Sequence, residues 1–307
     1  MSEKQLTSTA AGPPAHAGRT ANGATGHKAR DAASAGAHDT RLQAQFAVSL
    51  QKVDKALDRA DPVRMVHETR KAIKEYRALL RLVATPEADA ARRLAAQTAR
   101  ALSSARDQQA SRDAVDALVA HEALSEADAE AVRAALADAP VDSTAPVDHA
   151  RQVRDWLGAA RSQHAGILDQ QAVDSDLRKG LRRAYEKARD AGRFRDAEDM
   201  HELRKRVVTH RYQMSFVAEI SGGRGAKRAK RAQTLRDLLG LMQDIETLGQ
   251  SLAQAALSSE LRARVETAAG QVQRTITTQA RDLHRSLFNR PAKAFGHKVS
   301  RLIGRPA

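Results

Sequence analysis

Apolar residues recur at helical spacing from Leu42 through Phe46, Leu50, Val53 and Leu57, which predicts a first amphipathic helix. The pattern restarts at Asp61-Pro62. An Asp at the N-cap accepts from free backbone amides, and proline suits the first helical position because its missing N–H would be unpaired there anyway. This second helix is expected to run to about Ala84, ahead of Pro86. Helical periodicity then continues over about 87–121, 125–138 and 147–170, with Pro140 and Pro146 bracketing a loop. It resumes over 174–192, 196–220, 225–257 and 259–288 and closes in a short basic helix at 291–303. Ser221-Gly222-Gly223 is the clearest stop, since glycine accepts the left-handed conformation that ends helices.

Composition supports an all-α chain. Alanine is abundant and glycine sparse, Ala, Leu, Arg, Glu and Gln are good helix formers, and aromatic residues make up only 3%, which leaves little material for sheet. A length of 307 residues can bury a sizeable core without metals or cross-links. Cysteine is absent, which removes thiolate nucleophiles, Cys-ligated zinc, Fe–S clusters and disulfides, and fits a reducing compartment. Residues 1–39, rich in Ala, Gly, Thr, Ser and His, read as a disordered tail ahead of a helical domain over 40–305. No run of eighteen apolar residues is present and the N-terminus lacks a secretory pattern, so a cytoplasmic protein without a membrane span is expected.

Charge is unevenly spread. The formal net charge is +14, and Leu177–Gly240 carries eighteen Lys/Arg against eight Asp/Glu, whereas Ala110–Asp176 carries five against thirteen. Such a field attracts polyanions. Self-comparison then shows a repeat: Val66-His67-Glu68-Thr69-Arg70-Lys71 with Arg77 recurs as Met200-His201-Glu202-Leu203-Arg204-Lys205 with Arg211, at an offset of 134. Leu102-Ser103 through Asp107 recurs as Leu239-Gly240 through Asp244, at an offset of 137. Two matches in the same order predict a duplicated architecture, with halves over about 40–172 and 173–305.

At 100° per residue, His67, Arg70, Lys71, Lys74, Arg77 and Arg81 fall within an arc of roughly 120°. Ile73, Tyr76, Leu80 and Val83 lie on the opposite, core-facing side, so a solvent-facing cationic stripe is expected. In the second copy His201, Arg204, Lys205 and Arg211 occupy the same arc, with Val208 in place of the lysine and Arg206 well off the stripe. Neither stripe contains an acid, although like charges at i, i+4 repel. An anion would relieve that repulsion. Arginine offers phosphate a planar two-pronged donor set, lysine a mobile point charge, and histidine a donor near neutral pH.

The repeated His-x-x-Arg-Lys pattern resembles the CHAD domain, the conserved histidine α-helical domain. The resemblance extends to Gly180-Leu181, Tyr185, Ala188-Arg189, Arg211-Tyr212 and the Leu-Gly-x-x-x-Asp signature at Leu239-Gly240 and Asp244. In the first half Ser103 replaces the glycine while Arg106-Asp107 keeps an Arg-Asp pair. The resemblance implies two pseudo-symmetric four-helix bundles whose basic faces converge on a cavity binding inorganic polyphosphate. The residues it assigns are His67, Arg70, Lys71, Lys74 and Arg77, with His201, Arg204, Lys205 and Arg211, followed by Arg81, Arg93 with its mate Lys230, and Arg106. Gln243 stands where the first half has Arg106, so a weaker grip by the second face is expected. The short tail leaves no room for the triphosphate-tunnel domain that often accompanies such modules, which implies a stand-alone form. Non-catalytic binding, without cofactor or metal, and association with polyphosphate granules follow from the same resemblance.

Competing readings rest on weaker patterns. Glu198-x-x-His201 has the spacing of di-iron ligands, but its mate at position 64 is arginine and the surrounding cations repel metal. Nucleic-acid or general polyanion binding is the main alternative, especially through Lys227-Arg228-x-Lys230-Arg231. Against it, no aromatics interleave the stripe to stack bases. A polyphosphate or triphosphate hydrolase would need carboxylates or a nucleophile among the cations, and only Glu68 and Glu202 stand near; helix-to-helix ion pairs are expected for both. Asp107 and Asp244 are expected to pair with arginines, and Trp156 to sit in the core. Granule proteins recruited by the acidic block would be compatible partners.

Overall fold

The computed structural model describes residues 41–102, 107–137, 148–168 and 174–303, and among them every regular element is a helix. The expected tail and the Pro140–Pro146 loop lie outside the described residues. The helices are α1 (41–57), α2 (Pro62–Leu80), α3 (Pro86–Ala101), α4 (Asp107–Ala120), α5 (Glu126–Ala137), α6 (His149–Leu168), α7 (Asp174–Asp190), α8 (Ala197–Ile220), α9 (Ala226–Gln254), α10 (Ser259–Leu287) and α11 (Ala292–Ile303). Side-chain caps set several starts as the sequence suggests. The Asp61 carboxylate accepts from the Val63 amide at 2.9 Å, and the Thr85 hydroxyl accepts from the Ala88 amide at 3.2 Å. α2 stops at Leu80, short of Ala84, because the amides of Leu82 and Val83 turn back to the carbonyls of Leu79 and Leu80, three residues earlier. After α8, Gly222 and Gly223 take φ values of 64° and 86°.

Two rings of four helices make up most of the molecule. In the first, α2 packs on α3 and α3 on α6. α1 closes the ring, pairing with α2 through Lys52 and Glu75 (2.7 Å) and with α6 through Asp54 and Arg161 (2.7 Å). At its centre Tyr76 meets Phe46 and Trp156 edge to face, at 5.7 and 6.0 Å between centroids. Burial pushes the Tyr76 hydroxyl up to about 12. In the second ring α7 packs on α8, α8 on α9 and α9 on α10, and His284 of α10 returns to the Ala188 carbonyl of α7 at 3.0 Å. α11 covers α7. The position equivalent to Tyr76 is His210, buried with Tyr185, Phe288 and Phe295.

The rings share one continuous apolar core. α2 lies against α8, where Tyr212 Oη donates to the Lys71 carbonyl (3.2 Å) and Gln213 Nε2 to the Ala78 carbonyl (3.0 Å). α4 lies along α9, with the hydroxyls of Ser111 and Ser251 2.9 Å apart. α5 is clipped to α10 by Asp128 and Arg264. Gly180 lets α7 reach the end of α2, since a Cβ there would stand 2.9 Å from Leu82 Cα.

The helical stretch expected over 87–121 is two helices, whereas its counterpart α9 is unbroken. The side-chain contacts at the two places differ. Arg70 donates from Nη1 to the Leu102 carbonyl at 2.7 Å, so that oxygen is held by a side chain where α3 ends. In the second half Arg204 instead reaches the Gln243 side chain at 2.6 Å and lies over Gly240, leaving the backbone of α9 to continue.

Candidate polyanion-binding face

The first stripe is only partly open to solvent. His67 and Lys71 are exposed, whereas Arg70, Lys74, Arg77 and Arg81 are half-buried where α2 meets α3 and α8. A freely solvated stripe is therefore corrected to a seam of partly buried cations. α2 buries its apolar face in the first ring and turns the stripe toward its neighbours. The stripe residues line neither of the two cavities, of about 280 and 310 Å³, found elsewhere in the molecule.

Five guanidinium groups from three helices act on one another here. Arg77 is lowered from the ordinary arginine value by burial and by the nearby charges of Arg92 and Arg100 on α3. Arg81 is lowered to about 10 by burial and then by Arg92, Arg206 and Arg77, with Asp89 opposing. Arg77 Nε is buried without a hydrogen-bond partner among the described residues. The local carboxylates offset only part of this charge. Asp89 takes Arg92 at 2.9 Å, and Glu202 pairs with Arg206.

Three of these arginines were not expected at the site. Arg206 lies off the stripe of its own helix, but that flank of α8 faces the end of α2. Arg92 follows buried Ala88 by one helical turn, which is the sequence signal placing it beside α2. Arg93, a candidate from the sequence, is exposed on α3. Its mate Lys230 is likewise exposed on α9, and Arg106 lies outside the described residues.

In the second stripe His201 and Lys205 are exposed, and Lys205 meets Glu202 at 2.7 Å. Burial raises the Glu202 carboxyl, yet Lys205 and Arg206 outweigh it and leave it below its ordinary value. Glu202 thus pairs within its own helix, contrary to the helix-to-helix pair expected. Glu68 pairs with Arg59 at 2.9 Å, in the turn before α2. Arg204 is half-buried across Gly240, and Arg211 lies over the Tyr212 ring, 4.2 Å from its centroid.

The basic run at 227–231 is divided by the fold. Arg228 turns inward, donating from Nε to His210 Nε2 at 2.9 Å, with its guanidinium 5.0 and 5.2 Å from the ring centroids of Phe295 and Tyr185. Burial and Arg228 hold His210 well below the ordinary histidine value, so its ring is a neutral acceptor. Lys227 and Lys230 remain exposed. Trp156 is in the core, as expected. Glu198 and His201 are both exposed, and no cluster of three metal-ligating side chains occurs among the described residues.

A duplicated all-α architecture with a basic seam on its repeated helix defines a helical-bundle protein. Residues 40–253 match the family model described as the CHAD domain, and the chain belongs to that family. No curated protein matches it. No helix among the described residues is long and apolar enough to cross a membrane.

Proposed function

We propose that the α2–α3–α8 seam binds inorganic polyphosphate without chemical turnover. The observation that carries this reading is the convergence of Arg77, Arg81, Arg92, Arg100 and Arg206, with burial and mutual repulsion lowering Arg81 to about 10. A polyanion laid along the seam supplies the countercharge that Asp89 and Glu202 provide only in part, and keeps several phosphates in contact with two-pronged donors at once. Family membership supports binding over catalysis. His67, Lys71, His201 and Lys205 form the exposed approach to the seam, and their mobile charges capture the chain before the arginines hold it.

On this reading the protein sits on polyphosphate granules in the cytoplasm, where its acidic segment is free to engage granule proteins. Non-specific nucleic-acid association is the weaker reading, because the inward turn of Arg228 leaves the 227–231 run with fewer outward cations. The test is a competition titration at physiological salt, with long-chain polyphosphate against single- and double-stranded DNA and RNA at matched phosphate, followed by sizing of the polyphosphate. A preference of about a hundredfold with intact chains supports the proposal. Equal affinities overturn it in favour of a general polyanion binder, and shortened chains overturn it in favour of a hydrolase.

A further inference from the structure

Two surface pockets among the described residues occupy equivalent places in the two rings. Buried positions of α1 and α7 correspond at an offset of 135: Leu42, Phe46, Leu50 and Val53 match Leu177, Leu181, Tyr185 and Ala188. Those of α6 and α10 correspond at 127, with Val153, Leu157 and Ala160 matching Ala280, His284 and Leu287. The first cavity, about 280 Å³ between α1 and α6, is lined by Asp54, Asp58, Arg154, Gly158 and Arg161 among others. The second, about 310 Å³ between the α7–α8 turn and α10, is lined by Arg193, Phe194, Arg281, His284, Arg285 and Phe288 among others. At these offsets Asp58 becomes Arg193, Gly158 becomes Arg285, and Arg154 becomes Arg281. One architecture thus holds a charge-balanced pocket in the first ring and a cationic one in the second.

In the first cavity two carboxylates balance two arginines, and Asp54 holds Arg161 at 2.7 Å. The second has three arginines and no carboxylate among its described lining residues. Part of its wall is held in place, while Arg193 and Arg285 extend toward solvent. Arg281 Nη2 donates to the Phe194 carbonyl at 3.1 Å while its guanidinium lies 5.7 Å from the Phe194 ring centroid. His284 is tied to the Ala188 carbonyl and abuts Gly192 so closely that a Cβ there would stand 2.0 Å from the ring. Phe194 itself takes φ 54°, a conformation a bulky aromatic adopts only when its surroundings impose it. A guanidinium has five donors, so Arg281 keeps most of its capacity after the bond to Phe194. Asp282 meets Arg285 at 3.3 Å in a pair that is largely exposed and correspondingly weak, and Asp199, held by Arg195 at 2.7 Å, also feels the charge of Arg193.

We infer that the cavity between the α7–α8 turn and α10 is a second anion site, separate from the α2–α3–α8 seam, which takes a compact phosphate group of diphosphate size. Three arginines on a preset apolar floor of Phe194 and Phe288 suit a small, highly charged group and give no track for a long chain. The inference does not rest on the polyphosphate reading, since its ligand and its residues are different.

The experiment is isothermal titration of the full chain with inorganic diphosphate, comparing the wild type with Arg193→Asp/Arg285→Gln, which removes the excess charge. Long-chain polyphosphate is titrated into the same proteins. The expected result is loss of one diphosphate equivalent, or at least a tenfold weakening of it, with polyphosphate affinity changed less than twofold. Unchanged diphosphate stoichiometry overturns the inference. So does parallel loss of diphosphate and polyphosphate, which would make the cavity part of the seam. Should the double variant fail to fold, Asp58→Arg in the first cavity carries the converse test. It should add a diphosphate equivalent, and no gain overturns the inference.

Discussion

Arg70 holds the backbone carbonyl of Leu102 at 2.7 Å, although the two residues stand on different helices of the first ring. The contact joins the repeated histidine helix to the place where α3 ends, so one side chain of the basic face also shapes the chain path beneath it. Its counterpart Arg204 performs the equivalent reach to Gln243 and leaves α9 intact.

Arg70 is therefore expected to matter for stability before any ligand is present. Hydrogen bonds to charged groups contribute about 1.5–3 kcal/mol, and Arg70→Met should lower the unfolding free energy by roughly that amount. Urea unfolding followed by circular dichroism measures it. A loss below about 0.5 kcal/mol would show the contact to be dispensable.

Two glycines in close quarters should respond differently to alanine. At Gly180 the new Cβ meets backbone, 2.9 Å from Leu82 Cα and 3.1 Å from the carbonyls of Arg81 and Leu82. Gly180→Ala should cost about 1–3 kcal/mol as overpacking. At Gly240 the nearest atom is the far end of Arg204, at 3.2 Å, which can swing aside. Alanine also gains about 0.8–1 kcal/mol of helix propensity, so Gly240→Ala should stay within about 1 kcal/mol of the wild type. Similar urea midpoints for the two variants would contradict this.

Most of the helices were legible because each buries one face, and that periodicity is written locally. The end of α3 at Ala101 was not, and the contact found there, from Arg70 to the Leu102 carbonyl, comes from another helix. The site divides in the same way. His67, Lys71, His201 and Lys205 could be placed from the repeat, because a helix wheel gives the outward direction of a side chain. Arg206 could not, as its relevance comes from which flank of α8 lies beside the end of α2. Arg228 sits in a run of cations that reads as surface, yet the rings of Tyr185, Phe288 and Phe295 and the neutral ring of His210 offer it a buried alternative.

Arg81 should show opposite effects on folding and on binding. Its folded value is lowered to about 10 from the ordinary arginine value, so the charged form is disfavoured in the folded state. That cost is fully present below about pH 10 and fades as pH rises from there toward the ordinary arginine value. Arg81→Gln should therefore raise the urea midpoint of the ligand-free protein at pH 7. The same change should weaken polyphosphate binding and reduce the slope of log K against log salt by about 1, as expected for one lost phosphate contact. A variant that is both less stable and equally good at binding would remove Arg81 from the site.

His210 should give the protein an acid-sensitive second ring. Burial, reinforced by Arg228, lowers its folded value well below 6.5, and burial also lowers His284. The unfolded chain therefore binds more protons than the folded one once pH falls below about 6.5, the ordinary histidine value. The stability these neutral rings support is complete above that pH and is lost progressively below it. Each histidine contributes a slope of up to about 1.4 kcal/mol per pH unit. Gln at position 210 keeps an acceptor for Arg228 but has no proton to gain, so His210→Gln should flatten the decline between pH 6.5 and 5 while leaving the contribution of His284. Urea unfolding at half-unit pH intervals resolves the difference. Identical slopes in the two proteins would mean that His210 is not held neutral by its surroundings.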